Sequence, residues 1–577
     1  MAVERERPAA AWGYAALFAL FSALYLLTAT RDYAFDSVSY ALQIRRFEES
    51  GGARWLLHPH HLLFNVLGLA AHRLLGLLWP AADPLAALQV LNALLGAAGV
   101  VLFALVAGLI VADRGAGVLA AGGLGLSYGY WTCATDGRAN LPGLVALVGA
   151  LGVIAALLDA RRVRRARAFA RLAAALGGLH ALALLLHQSH VLFLPAAAAA
   201  VALSPGRPRR RGVRLYLGIS IGLGGLAYAV GALLAAEGRG LGAVSGWALT
   251  YARQGRWWDF HVATNLVRDA QAFSHALIAD PALSRTPGVG ILRLLAGCAA
   301  MAGAAAAGAR LWRLFHPPRP VFVPSLWGFE PDPHASPEPS LRVRALQGAQ
   351  RRLLPVLALW AGAYALFFTV WNPGYFVFWV PLLVPFWTLM AVAFASPGVP
   401  VARRRATVLA TAVGLALLAA NNAATGIGPH ARAAGNGRLQ KALAVRAHAR
   451  PGDCIVIAGA GDDADAEVYL PYFAGCEVLS LNALLAGSGG KPETLAALRA
   501  AINERLAPGR KVYVHEELYT SEGPYATLTP RHGITRAEVV RFLKRHYRVG
   551  PPSRWRVSGP GAAESVVVRT TAGGGDR

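Results

Sequence analysis

Between two long apolar runs the chain carries a polar stretch that reads Arg31-Asp32-Tyr33-Ala34-Phe35-Asp36-Ser37-Val38-Ser39-Tyr40. The motif His58-Pro59-His60-His61 follows shortly after it. Acidic, basic and aromatic groups are denser here than elsewhere in the sequence. Because runs of membrane-spanning length flank these groups, the stretch is the first candidate for chemistry at a bilayer surface.

The rest of the sequence is mostly apolar, and only 15% of the 577 residues are charged. Several runs reach the length of about 20 apolar residues that crosses a hydrocarbon core. The first run has no small-residue cleavage site, so we interpret it as a permanent span. The pattern predicts a polytopic α-helical membrane protein with about 11–13 spans. The clearest runs are Trp12–Ala29, Pro84–Val111, Leu215–Ala236 and Ala406–Ala424.

The net charge of +25 comes largely from arginines clustered in short loops, at 161–167, 207–211 and 403–405. Such clusters are typical of the cytoplasmic side of a membrane protein. No basic stretch is interleaved with stacking aromatics, which argues against nucleic acid as a partner. We therefore expect a multi-pass protein of the inner (plasma) membrane with its N-terminus in the cytoplasm.

This orientation predicts how the chain is organised. A transmembrane domain would cover residues 1–427, with a first external loop at 31–60 and a cytoplasmic linker at 315–352. Residues 131–140 and 237–289 would also be external loops. The run 62–79 either spans the membrane or lies shallow in it, and the sequence leaves both alternatives open.

Residues 428–577 are mixed polar and predict a small external α/β domain with a parallel sheet. Two cysteines, Cys454 and Cys476, precede or begin strand-like runs and form either a disulfide or two free thiols. The acids Asp462, Asp463 and Asp465 follow the first strand, and we interpret them as solvated turn residues, with a calcium- or sugar-binding loop as the alternative. Strand-like runs occur at 454–457, 477–481, 511–514 and 564–568, and helical runs at 467–473, 492–505 and 536–546.

Residues 35–50 of the polar stretch have the periodicity of an amphipathic helix lying in the membrane interface. Such a helix would hold Asp36 at a fixed height above the bilayer. The alternative is that Asp36 only stabilises the helix N-terminus, and that Asp32 only pairs with Arg31. The expected apolar face carries Phe35, Val38 and Leu42, and the expected polar face carries Asp36, Tyr40 and Gln43.

The motif Asp36-Ser37-Val38-Ser39-Tyr40, followed by His58-Pro59 and an apolar helix, resembles the GT-C fold glycosyltransferases. These membrane enzymes use polyprenyl-phosphate sugars, and the likeness is greatest to the protein O-mannosyltransferase and aminoarabinose transferase branch. That branch often has Asp-Glu and His-Pro-Pro at these places, where this chain has Ser37 and His60.

The resemblance implies transfer of a sugar from a polyprenyl-phosphate donor to an acceptor hydroxyl on the external face, with inversion. Asp36 would be the general base. The leaving lipid phosphate needs positive charge or hydrogen-bond donors, for which Arg138, His58 and His61 are candidates, supported by Tyr40 and Asp136. Asp136 and Arg138 have a structural ion pair as their alternative. No cofactor and no metal are expected.

The acceptor is left open among a glycan, a lipid and a protein. The competing class is a multi-span transporter or lipid-carrier flippase, which predicts polar residues buried in several spans and an internal repeat.

Overall fold

The computed structural model describes residues 2–235, 240–249, 257–279, 341–395, 401–487, 491–506, 510–556 and 565–573. The chain forms two compact units. The helical unit contains Met1–Ala29 and Arg46–Gly428, and the sheet unit contains Thr30–Arg45 and Pro429–Arg577. The first half of the polar stretch therefore groups with the C-terminal part of the chain, a division that the hydropathy pattern does not reveal.

The helical unit is built from long helices joined by short loops. Its helices are Ala2–Leu27, Phe64–Leu78, Pro84–Val111, Arg114–Leu126, Tyr128–Thr135, Asn140–Leu158, Ala166–Leu186, Leu194–Leu203, Arg209–Ala235, Leu241–Ala248, Val262–Leu277, Leu341–Phe368, Leu383–Phe394 and Val401–Asn422.

Among the described residues, seven helical segments are long and apolar enough to cross a membrane. Three shorter apolar helices accompany them: Ala11–Leu27, Phe64–Leu78 and Gln188–Leu203. The chain is a multi-pass membrane protein, as its composition predicts. The long segments are Pro84–Val111, Asn140–Leu158, Ala166–Leu186, Arg209–Ala235, Leu346–Phe368, Phe376–Phe394 and Arg405–His430.

Local signals explain why the helix Pro84–Val111 begins and ends where it does. Asp83 caps it by accepting a hydrogen bond of 2.8 Å from the backbone N–H of Ala86, and proline occupies the first turn, where its missing N–H costs nothing. Ala112 ends the helix in the left-handed conformation at φ 54°. Close packing inside the unit uses glycine, since a side chain at Gly99 would overlap the hydroxyl of Tyr130.

Two expectations about the loops need correction. Residues 131–135 of the expected loop 131–140 do not form a loop, because the largely buried helix Tyr128–Thr135 contains them. Residues 341–352 of the expected linker belong to the helix Leu341–Phe368, which is largely apolar from Leu353 onward. For the run 62–79 the sequence left two alternatives open, a span and a shallow position. This run forms the helix Phe64–Leu78 of 15 residues, which is short for a span. Residues 315–340 and Cys298 lie outside the described residues.

The sheet unit contains a mixed sheet of five strands, which are β1 Cys454–Ile457, β2 Glu477–Ser480, β3 Val512–His515, β4 Tyr547–Arg556 and β5 Ser565–Gly573. Their order in the sheet is β2-β1-β3-β5-β4. Its strands β2, β1 and β3 are parallel, whereas β5 pairs antiparallel with both β3 and β4. The expectation of a parallel sheet is therefore wrong for the edge that β5 and β4 form.

Helices cover this sheet, and the strand β1 is buried along its whole length. Cys454 and Cys476 are both free and buried, and burial raises the pKa of their thiols to about 12 and about 11. The helices are Gly437–His448, Ala466–Tyr469, Leu481–Gly487, Lys491–Arg505, Glu516–Thr520, Tyr525–His532 and Arg536–His546.

Candidate functional site

In the helical unit, the loop that follows the helix Tyr128–Thr135 holds an ion pair. Nε of Arg138 donates to Oδ2 of Asp136 over 3.0 Å, and the other carboxylate oxygen accepts the backbone N–H of Gly137 at 2.8 Å. Asp136 is only 1% exposed. Both carboxylate oxygens are therefore occupied, and the side chain of Asp136 is fixed.

Asn92, on the helix Pro84–Val111, holds this loop in place. Its amide nitrogen lies 2.7 Å from the carbonyl oxygen of Asp136 and 2.8 Å from that of Arg138. Gln89, one turn earlier, donates to the carbonyl of Thr135 over 3.0 Å. Two amides of one helix thus donate hydrogen bonds to backbone carbonyls of this loop and of the helix end before it.

The guanidinium of Arg138 reaches a second partner across the unit, donating from Nη1 to the hydroxyl of Tyr375 over 3.1 Å. Burial opposes the charge, but Tyr375 and Asp136 outweigh it and hold the pKa of Arg138 above its usual value. Within the described part of the chain, no hydrogen bond uses its remaining terminal nitrogen. Arg138 is therefore a permanent cation with donor capacity left for an anion.

A cluster of five histidines lies in the same unit. The rings of His58 and His61 stack at 5.5 Å, and His61 lies 4.8 Å from His187. The backbone N–H of Gln188 donates to the carbonyl of His60 over 2.8 Å, which joins the two histidine-bearing segments. The members of this histidine cluster are His58, His60, His61, His187 and His190.

Burial makes the imidazoles of the first segment poor bases. It lowers the pKa of His58 to about 4 and, together with the neighbouring histidines, lowers that of His60 to about 3. The pKa of His61 falls for the same reasons. These rings are neutral near pH 7, so they offer hydrogen bonds to an anion and leave the permanent positive charge to Arg138.

The histidine cluster and the Arg138 loop are joined by Asn140. Its amide nitrogen lies 3.2 Å from Nε2 of His187, and Asn140 itself begins the helix that follows Arg138. Sequence reasoning proposed the Asp136–Arg138 pair and the histidines His58 and His61 as candidates. It missed Asn92 and Asn140, because ordinary amides carry no pattern, and it did not predict the contact between Tyr375 and Arg138.

In the sheet unit, Asp32 has partners other than the expected Arg31. Its two oxygens lie 2.6 Å from Nη2 of Arg438 and 2.7 Å from Nδ1 of His430. Burial opposes ionisation, but the hydrogen bonds from His430 and Arg438 outweigh it and lower the pKa of Asp32. Arg438 also binds Asp465 at 2.7 Å, so this acid is not the solvated turn residue that the sequence suggested.

Asp36 has different surroundings from Asp32. It lies in the first turn of the helix Phe35–Ser50 and is exposed. Tyr40, one turn later, is buried. The expected polar face of Asp36, Tyr40 and Gln43 is therefore only partly exposed, because buried positions surround most of the helix. These positions are Ser37, Val38, Tyr40, Ala41, Leu42 and Ile44.

The chain was compared with known proteins by sequence and by structure. No protein-family model matches the sequence, and no curated protein matches it. The crystal structure of ArnT from Cupriavidus metallidurans bound to undecaprenyl phosphate superimposes with a TM-score of 0.56 at 11% identity, covering 96% of this chain and 98% of that chain. The apo structure of the same protein gives 0.57 at 13% identity, covering 97% and 98%. Over nearly its whole length, this chain has the GT-C membrane fold of ArnT.

Proposed function

We propose that the chain is an integral membrane glycosyltransferase that moves a sugar from a polyprenyl-phosphate donor to an acceptor hydroxyl. The observation that carries the proposal is the full-length likeness of its fold to ArnT, whose crystal structure contains undecaprenyl phosphate. The acceptor is a glycan, a lipid or a protein. Transfer takes place on the external face of the plasma membrane, where the positive-inside pattern puts the polar stretch.

Arg138 is the group we assign to the donor phosphate. The departing lipid phosphate is anionic, and a guanidinium matches phosphate oxygens better than a point charge does. Asp136 and Tyr375 orient Arg138 before the donor arrives, so little conformational freedom is lost on binding. His58 and His61 contribute as neutral donors, and Tyr40 supports the polar stretch from within its helix.

Asp36 is the group we assign as general base. An acceptor hydroxyl has a high pKa and gains nucleophilicity when a positioned carboxylate takes its proton. In the step, the acceptor oxygen bonds to the anomeric carbon while the bond from that carbon to the phosphate oxygen breaks. The lipid phosphate leaves with the electron pair, and a single displacement inverts the anomeric configuration. Asp32 is unsuited to this role, because the side chains of His430 and Arg438 occupy its two oxygens.

A transporter or lipid-carrier flippase is the second candidate, since polar side chains are buried within the helices of spanning length. Nδ1 of His180 lies 2.7 Å from the hydroxyl of Tyr216 and 2.9 Å from that of Ser220. Ionisable groups at membrane depth often mark transport pathways. Here Nε2 of His180 also has a partner, the carbonyl of His190 at 2.9 Å, which favours a structural cross-link between helices.

Proteoliposomes that contain the purified chain and a polyprenyl phosphate carrying a radiolabelled sugar separate the two candidates. A glycosyltransferase moves the label from the polyprenyl phosphate to a different molecule, an acceptor supplied as a membrane extract. A flippase leaves the label on the lipid and changes only the leaflet from which an added reagent can reach it. Label that stays on the lipid while changing leaflet would overturn the proposed function.

A further inference from the structure

The strand order of the sheet unit creates a crevice at the carboxyl ends of two neighbouring strands, β1 and β3. The chain runs from β1 to β2 on one side and then crosses back to β3 on the other side of β1. The carboxyl ends of β1 and β3 therefore form a topological switch point. In open α/β sheets, ligands bind in the crevice outside such ends.

Three potential ligands meet at this point. Asp463 lies in the loop that follows β1, His515 is the last residue of β3, and Glu517 follows it. One ligand atom from each lies within 4.8 Å of the others. These residues are far apart in sequence, so the strand order and not a local motif brings them together.

Asp463 and His515 are buried and oriented toward each other. Oδ2 of Asp463 accepts the backbone N–H of Ala458 at 2.8 Å, while its Oδ1 lies 3.2 Å from Nδ1 of His515. The two side chains are 1% and 8% exposed. Although this distance suits an ion pair, the ring nitrogen does not meet hydrogen-bond geometry with any described residue. Buried polar atoms rarely lack such a partner.

We propose that Asp463, His515 and Glu517 bind a divalent cation, with Zn²⁺ as the best match. Imidazole and carboxylate ligands without thiolate suit this ion. Ligand atoms in a tetrahedral zinc site are about 3.4 Å apart, given bond lengths of about 2.0–2.2 Å, and Asp463 and His515 already meet this spacing. Three protein ligands leave a fourth position for water or for an anionic group. The site is independent of the proposed sugar transfer.

Glu517 is the adjustable ligand of the three. Its side chain is 30% exposed, and its Oε1 lies 3.2 Å from the ammonium group of Lys441. A carboxylate has two oxygens, so Glu517 binds the cation through one and keeps Lys441 on the other. Asp463 is held more firmly, because the backbone of the loop after β1 already occupies its second oxygen.

The test uses the full-length protein in detergent, stripped with a chelator and dialysed against Zn²⁺, with bound metal measured by mass spectrometry. The variants are Asp463→Asn, which keeps an oxygen for the N–H of Ala458, His515→Gln and Glu517→Gln. His532→Gln, outside the cluster, is the matched control. The chain has 16 histidines, and those outside the cluster can also bind Zn²⁺ weakly. The quantity compared is therefore the difference in bound Zn²⁺ between each variant and the unmodified chain.

We expect the unmodified chain and His532→Gln to retain one more equivalent of Zn²⁺ than Asp463→Asn and His515→Gln. Glu517→Gln should weaken binding at least about tenfold. Cobalt replaces zinc as a visible probe, and its tetrahedral absorption should disappear in His515→Gln. Circular dichroism identifies any variant that fails to fold. If Asp463→Asn and His515→Gln do not fold, the metal content of Glu517→Gln decides, because Glu517 is the most exposed of the three side chains. Equal metal content in all folded proteins would overturn the proposal.

Discussion

Arg138 shows how a single residue acquires its role from distant parts of the chain. Its carboxylate partner is a sequence neighbour, but Tyr375, which binds its Nη1, is 237 residues away. Asn92, which holds its carbonyl, is 46 residues away. The Asp136–Arg138 pair was visible in the sequence because its members are only two residues apart. Contacts over long separations leave no local pattern, and for that reason Asn92 was missed and the contact of Tyr375 with Arg138 was not predicted.

Replacing Arg138 tests separately the role of its positive charge and the role of its planar guanidinium group. Arg138→Gln should greatly weaken binding of undecaprenyl phosphate, and it should also destabilise the protein by about 3–5 kcal/mol because Asp136 would remain buried without its cation. Arg138→Lys keeps the positive charge, so it should lose less lipid binding and less stability than Arg138→Gln. Lipid retention in native mass spectrometry and thermal unfolding measure the two effects. Unchanged lipid retention in a folded Arg138→Gln protein would contradict the assignment to phosphate.

Asp32 and Asp36 are four residues apart and should respond differently to the same change. Asp32→Asn should cost about 1–2 kcal/mol of stability near pH 7, because it removes a charged hydrogen-bond partner of Arg438. The pKa of Asp32 is lowered in the folded state, so its contribution is present above the unfolded value of about 3.9 and is lost as pH falls further. The stability difference between variant and parent should therefore shrink below about pH 4. A difference independent of pH would contradict this account.

Helices were the elements that sequence patterns predicted best. The run Pro84–Val111 and the helix 35–50 have the bounds that periodicity and capping residues indicate. The strand β1 was also found, since four buried apolar residues follow a Pro-Gly-Asp turn. The strand β4 was missed because Gly550, Pro551 and Pro552 interrupt it, at the point where its register shifts.

Two glycines of the sheet unit offer a matched test of packing after β1. Gly459 and Gly475 share a φ of +67°, so alanine at either position costs about 1–2 kcal/mol in backbone strain. A side chain at Gly459 would also overlap the bonded Ser480 and Glu467, whereas nothing lies within 4 Å of one at Gly475. Gly459→Ala should therefore unfold at a clearly lower temperature than Gly475→Ala. Equal unfolding temperatures would mean that this loop is not packed as described.

At the scale of the whole molecule, composition and hydropathy were enough to predict a multi-pass helical protein with an α/β unit. The fold matches ArnT at only 11–13% identity, because the pattern of apolar spans and polar loops constrains the fold more than individual residues do. The division into two units was not predictable, since the grouping of Thr30–Arg45 with the sheet unit depends on contacts such as that between Asp32 and Arg438.

The most direct test of the proposed enzyme is sugar transfer by the variant Asp36→Asn, which keeps the size of the side chain and removes its basicity. Glu49→Gln, the same change at another exposed acid of the same helix, is the control. In proteoliposomes with the radiolabelled polyprenyl-phosphate sugar, we expect Asp36→Asn to lower the transfer rate by about 10²–10⁴-fold and Glu49→Gln to leave it unchanged. Transfer by Asp36→Asn at the parent rate would contradict the account.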